Sequence, residues 1–104
     1  MELGISTSTT SECYLITVSG EVDISNADAL RDAINLGMDA PASEVCLDFG
    51  KVGYIDSTGI GVLVGAARKA DDLDKDFSVI CAQPTVMRVA QLLGVDKEIN
   101  ISAA

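Results

Sequence analysis

Three apolar runs rich in β-branched residues set the terms of any fold for this chain: CYLITVSG (residues 13–20), SEVCLDFG (43–50) and DFSVICAQP (76–84). Each reads as a strand closed by glycine or proline, with cores at 13–20, 45–49 and 77–81. Residues 3–6 form a further short strand candidate, able to pair with the first run as a hairpin. EINIS (98–102) reads as a last, short edge strand.

The segments between the runs have helical periodicity. DISNADALRDAINLGMDAP (23–41) puts Ala27, Leu30, Ala33, Ile34 and Gly37 on one face and Asp28, Arg31, Asp32 and Asn35 on the others. Ser25 and Asp28 have the spacing of a capping box, and Pro41 prevents continuation. PTVMRVAQLLG (84–94) has Pro84 in its first turn, Val86, Val89, Ala90 and Leu93 as its apolar face, and Gly94 as its stop.

IGVLVGAARKA (60–70) is ambiguous on propensity alone, because β-branched residues and glycines are poor helix formers. Topology decides. Two parallel strands at Val45 and Phe77 need a crossover between them, and a helix over 58–70 supplies it. Gly59, Gly61 and Gly65 are then expected to let this helix approach the sheet closely. Strands alternating with helices give an α/β domain around a mixed β-sheet of four to five strands, with about three to four helices packed around it. At 104 residues the chain makes one domain, 1–104, with its core over about 5–101.

Composition narrows the function. Seven basic against sixteen acidic side chains give a net charge of −9, which disfavours nucleic acid and anionic membrane as partners. There is no histidine, so Ser-His-Asp, Cys-His and the usual zinc hydrolase chemistries are absent. Cys13, Cys46 and Cys81 form no Cys-x-x-Cys unit and each sits in an apolar run, as small core hydrophobes do. No apolar run reaches eighteen residues and no signal pattern opens the chain, so a cytoplasmic location is expected.

Three motifs carry candidate chemistry. The glycines at 59, 61 and 65 follow a strand and open a helix, but their spacing is not the dinucleotide fingerprint and no P-loop lysine follows. DDLDKDF (71–77) begins like a calcium loop, yet Phe77 stands where its glycine belongs and Gln83 where its glutamate belongs. An acidic, solvated turn is the better reading. Asp56-Ser57-Thr58-Gly59 lies at a helix start, where a Ser or Thr hydroxyl can cap the first free N–H groups. A phosphate on Ser57 would also be tolerated there by the amides and the positive end of the helix dipole. Composition and spacing leave plain cap and phosphorylation switch both open. Neither a histidine base nor a Gly-x-Ser-x-Gly elbow accompanies Ser57, so an enzyme is not expected.

The segment VCLDFGKVGYIDSTGIGVLVGA (45–66) resembles the signature of STAS-domain anti-sigma factor antagonists, in which an apolar strand and a turn precede Asp-Ser-Ser/Thr-Gly-apolar-Gly. GEVDISNADALRDAI (20–34) is similar to the family's earlier motif, and VMRVAQLLGVDKEINI (86–101) to its C-terminal helix and strand. The resemblance implies partner switching without a cofactor. The unphosphorylated antagonist binds an anti-sigma factor that is also a serine kinase and so releases a sigma factor. Phosphorylation ends the complex, and a serine phosphatase restores it. Ser57 matches the phosphoacceptor, with Thr58 a minor alternative acceptor or a cap. Asp56 matches the preceding carboxylate and Asp23 the acidic residue after the earlier strand, which the family fold places beside Ser57. The implied docking surface is Asp23, Ile24, Ser25 and Asn26 with Asp56, Ser57, Thr58 and Gly59. Two alternatives stand beside this reading: a STAS subunit of another signalling complex or a lipid transporter without a phosphoswitch, and a small nucleotide-binding α/β domain.

Overall fold

A computed structural model describes residues 3–103, so Met1, Glu2 and Ala104 of the expected domain lie outside the described residues. Nine elements follow in order: β1 (Gly4–Thr9), β2 (Cys13–Val22), α1 (Ala27–Asp39), β3 (Glu44–Ile55), α2 (Ser57–Asp72), β4 (Asp76–Ala82), α3 (Pro84–Leu92), α4 (Asp96–Ile99) and β5 (Ile101–Ala103). The five strands form one mixed sheet in the order β1-β2-β3-β4-β5. The β1–β2 hairpin is antiparallel, and every later pairing is parallel. This is the expected α/β architecture, with the crossover helix between β3 and β4 where topology required one.

All three crossovers step the same way across the sheet, and right-handed connections then place their helices on one face. Burial agrees. Ile16, Val18, Val45, Leu47, Phe49, Phe77 and Val79 point to that face and are buried. Leu15, Thr17, Asp48, Ser78 and Ile80, which alternate with them, are only half-buried. The core is thus a largely aliphatic layer between sheet and helices, which also takes in both phenylalanines, Phe49 and Phe77. The cysteines do not follow this division, since Cys46 alternates with Val45 and Leu47 and lies with Leu15 and Ser78 on the other face. Cys46 is buried, whereas Cys13 and Cys81 are only partly so, which departs from the expectation that all three belong to the core.

The second expected strand, at 45–49, proves to be much longer. β3 continues through GKVGYI to Ile55 because two register shifts against β2, between Thr17 and Ser19 and between Gly20 and Glu21, absorb the glycines as bulges. These shifts keep Val52 and Ile55 on the buried face. They also deliver the chain to Asp56 beside the end of β2, where the Asp56 N–H donates to the Val22 carbonyl at 3.1 Å.

The acidic turn after α2 contains a cation with a structural task. α1 has no basic residue in its last turn, and its C-terminal carbonyls would otherwise lack a cationic partner. Lys75, from the α2–β4 turn, donates to the carbonyls of Met38 at 2.7 Å and Ala40 at 2.5 Å. At the end of α3, Gly94 at φ +72° provides the left-handed residue that stops the helix, as expected.

Candidate functional site

The site is built where β2 and β3 end side by side. Asp56 caps α2: its Oδ1 accepts from the Gly59 N–H at 2.9 Å, and its carbonyl accepts from the Ile60 N–H at 3.0 Å. The expectation that a Ser57 or Thr58 hydroxyl does the capping is therefore corrected. A carboxylate at the cap position satisfies the orphan N–H and faces the positive helix end, so the two hydroxyls behind it are left over. Ser57 and Thr58 occupy the first two helical positions, are exposed, and make no side-chain hydrogen bond among the described residues.

The other carboxylate oxygen of Asp56 reaches across to the β2–α1 loop. Oδ2 accepts from the Ile24 N–H at 3.2 Å. One side chain thus fixes the start of α2 and ties the loop over 23–26 to it.

That loop is ordered by its own polar side chains. Asp23 accepts from the Ser25 N–H at 2.9 Å and from the Ser25 hydroxyl at 2.5 Å. These bonds, the hydroxyl's first, hold the Asp23 carboxyl below the usual aspartate range. The buried Asn26 side chain accepts from the Asp23 N–H at 2.9 Å and donates to the Glu21 carbonyl at 2.8 Å. The expected capping box of Ser25 and Asp28 does not form. The cap position of α1 is Asn26, Ser25 turns back onto Asp23, and Asp28 pairs with Arg31. With Asp23, Ser25 and Asn26 engaged in hydrogen bonds within the loop, Ile24 stands out from it, 78% exposed. Residues from both predicted segments are therefore brought together through the Ile24–Asp56 bond.

The three glycines of α2 differ. A Cβ on Gly59 would stand 2.6 Å from Cγ1 of Ile55 and 2.7 Å from Cγ1 of Val22, so this glycine does allow the helix onto the sheet. A Cβ on Gly61 or Gly65 would meet nothing within 4 Å. The expectation of sheet packing is wrong for these two, because they lie on the outer side of the helix. Together they form part of a groove of about 450 Å³ between α1 and α2, which Ile34, Thr58, Arg31 and Lys69 also line. The sequence signal that would have exposed this is their spacing: Gly61 and Gly65 share a helix face that Gly59 does not. A metal site is not among the possibilities this geometry offers, since no cluster of metal-ligating side chains occurs among the described residues. No helix among them is long and apolar enough to cross a membrane.

The model of the family described as "Mlab, STAS domain" matches residues 5–101. The chain belongs to the STAS domain family. An anti-sigma-B factor antagonist of Staphylococcus aureus is 24% identical over 102 residues, covering 98% of this chain and 94% of the relative. Among solved structures, an anti-sigma factor antagonist from Mycobacterium paratuberculosis superposes with a TM-score of 0.88 at 23% identity, over 99% of this chain and 87% of that one. The anti-sigma factor antagonist SpoIIAA is similar in both of its forms. Its unphosphorylated form gives a TM-score of 0.81 at 21% identity, over 97% and 88% of the two chains. The phosphorylated form from Bacillus gives 0.74 at 20% identity, over 97% and 91%. At these identities the solved STAS structures bear on the fold of this chain. Its function has to be argued from the site.

Proposed function

We propose that this STAS domain is an anti-sigma factor antagonist whose binding is switched off by phosphorylation of Ser57. The observation that carries the reading is the free Ser57 hydroxyl at the first position of α2. Asp56 performs the capping, so phosphorylation can proceed without removing a bond that holds the helix. Relatives that carry the antagonist name over nearly the full chain support the same role.

The docking surface comprises Asp23, Ile24, Ser25, Asp56, Ser57 and Thr58, with Ile24 as its apolar tip, while Asn26 and Gly59, which are buried, support it from beneath. Its partner is an anti-sigma factor with serine kinase activity, and a serine phosphatase reverses the modification. Binding rather than chemistry is this domain's contribution. Thr58, equally exposed, is the secondary acceptor.

A phosphoserine adds roughly −1.5 to −2 charges. Buried at an interface without a cationic partner, a charge costs on the order of 3–5 kcal/mol. At ~1.4 kcal/mol per decade, affinity falls roughly a hundred- to few-thousand-fold. No large conformational change is required. The test is titration of the cognate anti-sigma factor with wild type, Ser57→Ala and Ser57→Asp. Wild type and Ser57→Ala should bind comparably, and Ser57→Asp at least tenfold more weakly. Equal binding of Ser57→Asp would refute electrostatic exclusion. Absence of any Ser57 phosphate in protein isolated from the native cell would favour a STAS subunit without a phosphoswitch.

A further inference from the structure

The groove between α1 and α2 is open, apolar along its floor and basic at its edge. Ile34 is buried beneath it, and Gly61 and Gly65 leave two gaps in its α2 wall, between Thr58, Val62 and Lys69. Arg31 and Lys69 line it, two of only seven basic residues in a chain of charge −9. Two other cations have different tasks: Arg68 pairs with Glu98, and Lys75 serves the α1 carbonyls.

Neither groove cation is used up. Lys69 bonds only the neutral amide oxygen of Asn35, at 3.2 Å, and makes no ion pair among the described residues. Arg31 pairs with the exposed Asp28 through one of its terminal nitrogens, while a guanidinium carries five N–H donors. An anionic group entering the groove would meet two cations over an apolar floor. A basic one would be repelled.

We infer that this groove is a second subsite of the docking surface, taking an acidic, apolar segment of the protein partner with a carboxylate seated between Arg31 and Lys69. The inference rests on the reading under "Proposed function", because the groove adjoins the phosphoacceptor. Thr58, next to Ser57, is one of its lining residues. A partner covering Ser57 therefore extends into the groove with little further reach. Complementary charge there fixes the partner's orientation over Ser57. At Gly61 and Gly65 a partner backbone can come close to α2, as it could not where the helix carries side chains.

The experiment titrates the purified cognate anti-sigma factor with Lys69→Glu, Lys69→Gln, Gly65→Leu and Ser57→Asp, each confirmed folded by circular dichroism. Lys97→Glu, a charge change outside the groove, is the control. Lys69→Glu and Gly65→Leu should each weaken binding tenfold or more, Lys69→Gln about threefold, and Lys97→Glu less than twofold. A Lys or Arg replacing the contacting acidic residue of the partner should restore binding to Lys69→Glu. If the groove variants bind like wild type while Ser57→Asp does not, the second subsite is refuted and the phosphoswitch stands. If Ser57→Asp binds like wild type, the switch fails, and the groove is judged by its own variants. Weakening that tracks loss of a homodimer in sedimentation would assign the groove to a second copy and overturn the inference.

Discussion

The glycines of α2 can be separated by one substitution series, because the structure assigns them opposite signs. An interior helical glycine costs roughly 0.5–1 kcal/mol relative to alanine through lost backbone entropy. Gly61→Ala and Gly65→Ala should recover that amount, since the new methyl meets nothing within 4 Å. The double variant should gain about 1–2 kcal/mol. For a domain of this size that corresponds to a rise in Tm of roughly 5–10 °C. Gly59→Ala should do the reverse. Its methyl would overlap Ile55 and Val22, both fully buried. Overpacking a filled core costs about 1–3 kcal/mol, so after the helix gain the net loss is centred on about 1 kcal/mol and reaches at most about 2.5 kcal/mol. Urea unfolding followed by far-UV circular dichroism measures all four proteins, with an unchanged m-value as the check that only stability moved. Destabilisation by Gly61→Ala or Gly65→Ala of more than about 0.5 kcal/mol would refute the open-groove geometry. Stabilisation by Gly59→Ala would refute the close approach of α2 to β2 and β3.

Asp56→Ala removes the α2 cap and the bond to the Ile24 N–H together. It should cost about 1–2 kcal/mol in urea unfolding and speed hydrogen exchange at the amides of Ile24 and Gly59. Lys75→Met should cost about 1–3 kcal/mol through the unmet carbonyls of Met38 and Ala40, read by the same assay. The Asp23 carboxyl is held below its unfolded value by the Ser25 hydroxyl and N–H. Its contribution is therefore present above the ordinary aspartate pKa and is lost as pH falls through the lower, folded value. An NMR titration of the carboxyl carbon should show this, and Ser25→Ala should move the midpoint upward. Burial pushes the Cys46 thiol up, so Ellman's reagent at pH 7 should leave Cys46 unmodified in the folded protein and reach it in urea.

The strands and helices were legible because apolar periodicity and punctuation agree along most of the chain. The long α2 was recovered from topology, not propensity: a helix with this many β-branched residues and glycines forms because its inner face is buried on the sheet. The end of β3 was not legible. Gly50 and Gly53 look like a turn in one dimension, and only pairing with β2 reveals them as bulges. At the site, the family resemblance implies that the Asp23 loop lies beside Ser57, and the bond from the Ile24 N–H to Asp56, the residue before Ser57, joins the two segments. Which group caps α2 was missed, since Asp, Ser and Thr are all good caps and the sequence does not say where the helix begins. The task of Lys75 is not legible in one dimension, because its bonds to Met38 and Ala40 span more than thirty residues and exist only once α1 and the α2–β4 turn meet.

Strand order equals chain order in this sheet, so every strand pairs with its nearest neighbours in sequence. No strand has to be inserted between two others that are already paired. A sheet of this kind grows by accretion at one edge, each β–α unit docking on the last as it leaves the ribosome. Long-range loop closure, the slow part of folding many sheets, is then confined to single crossovers. Both loops around Ser57 and the helix behind it are encoded before β4 begins. The proposed docking surface is thus encoded in the first three-quarters of the chain, and the remaining residues complete the sheet beside it.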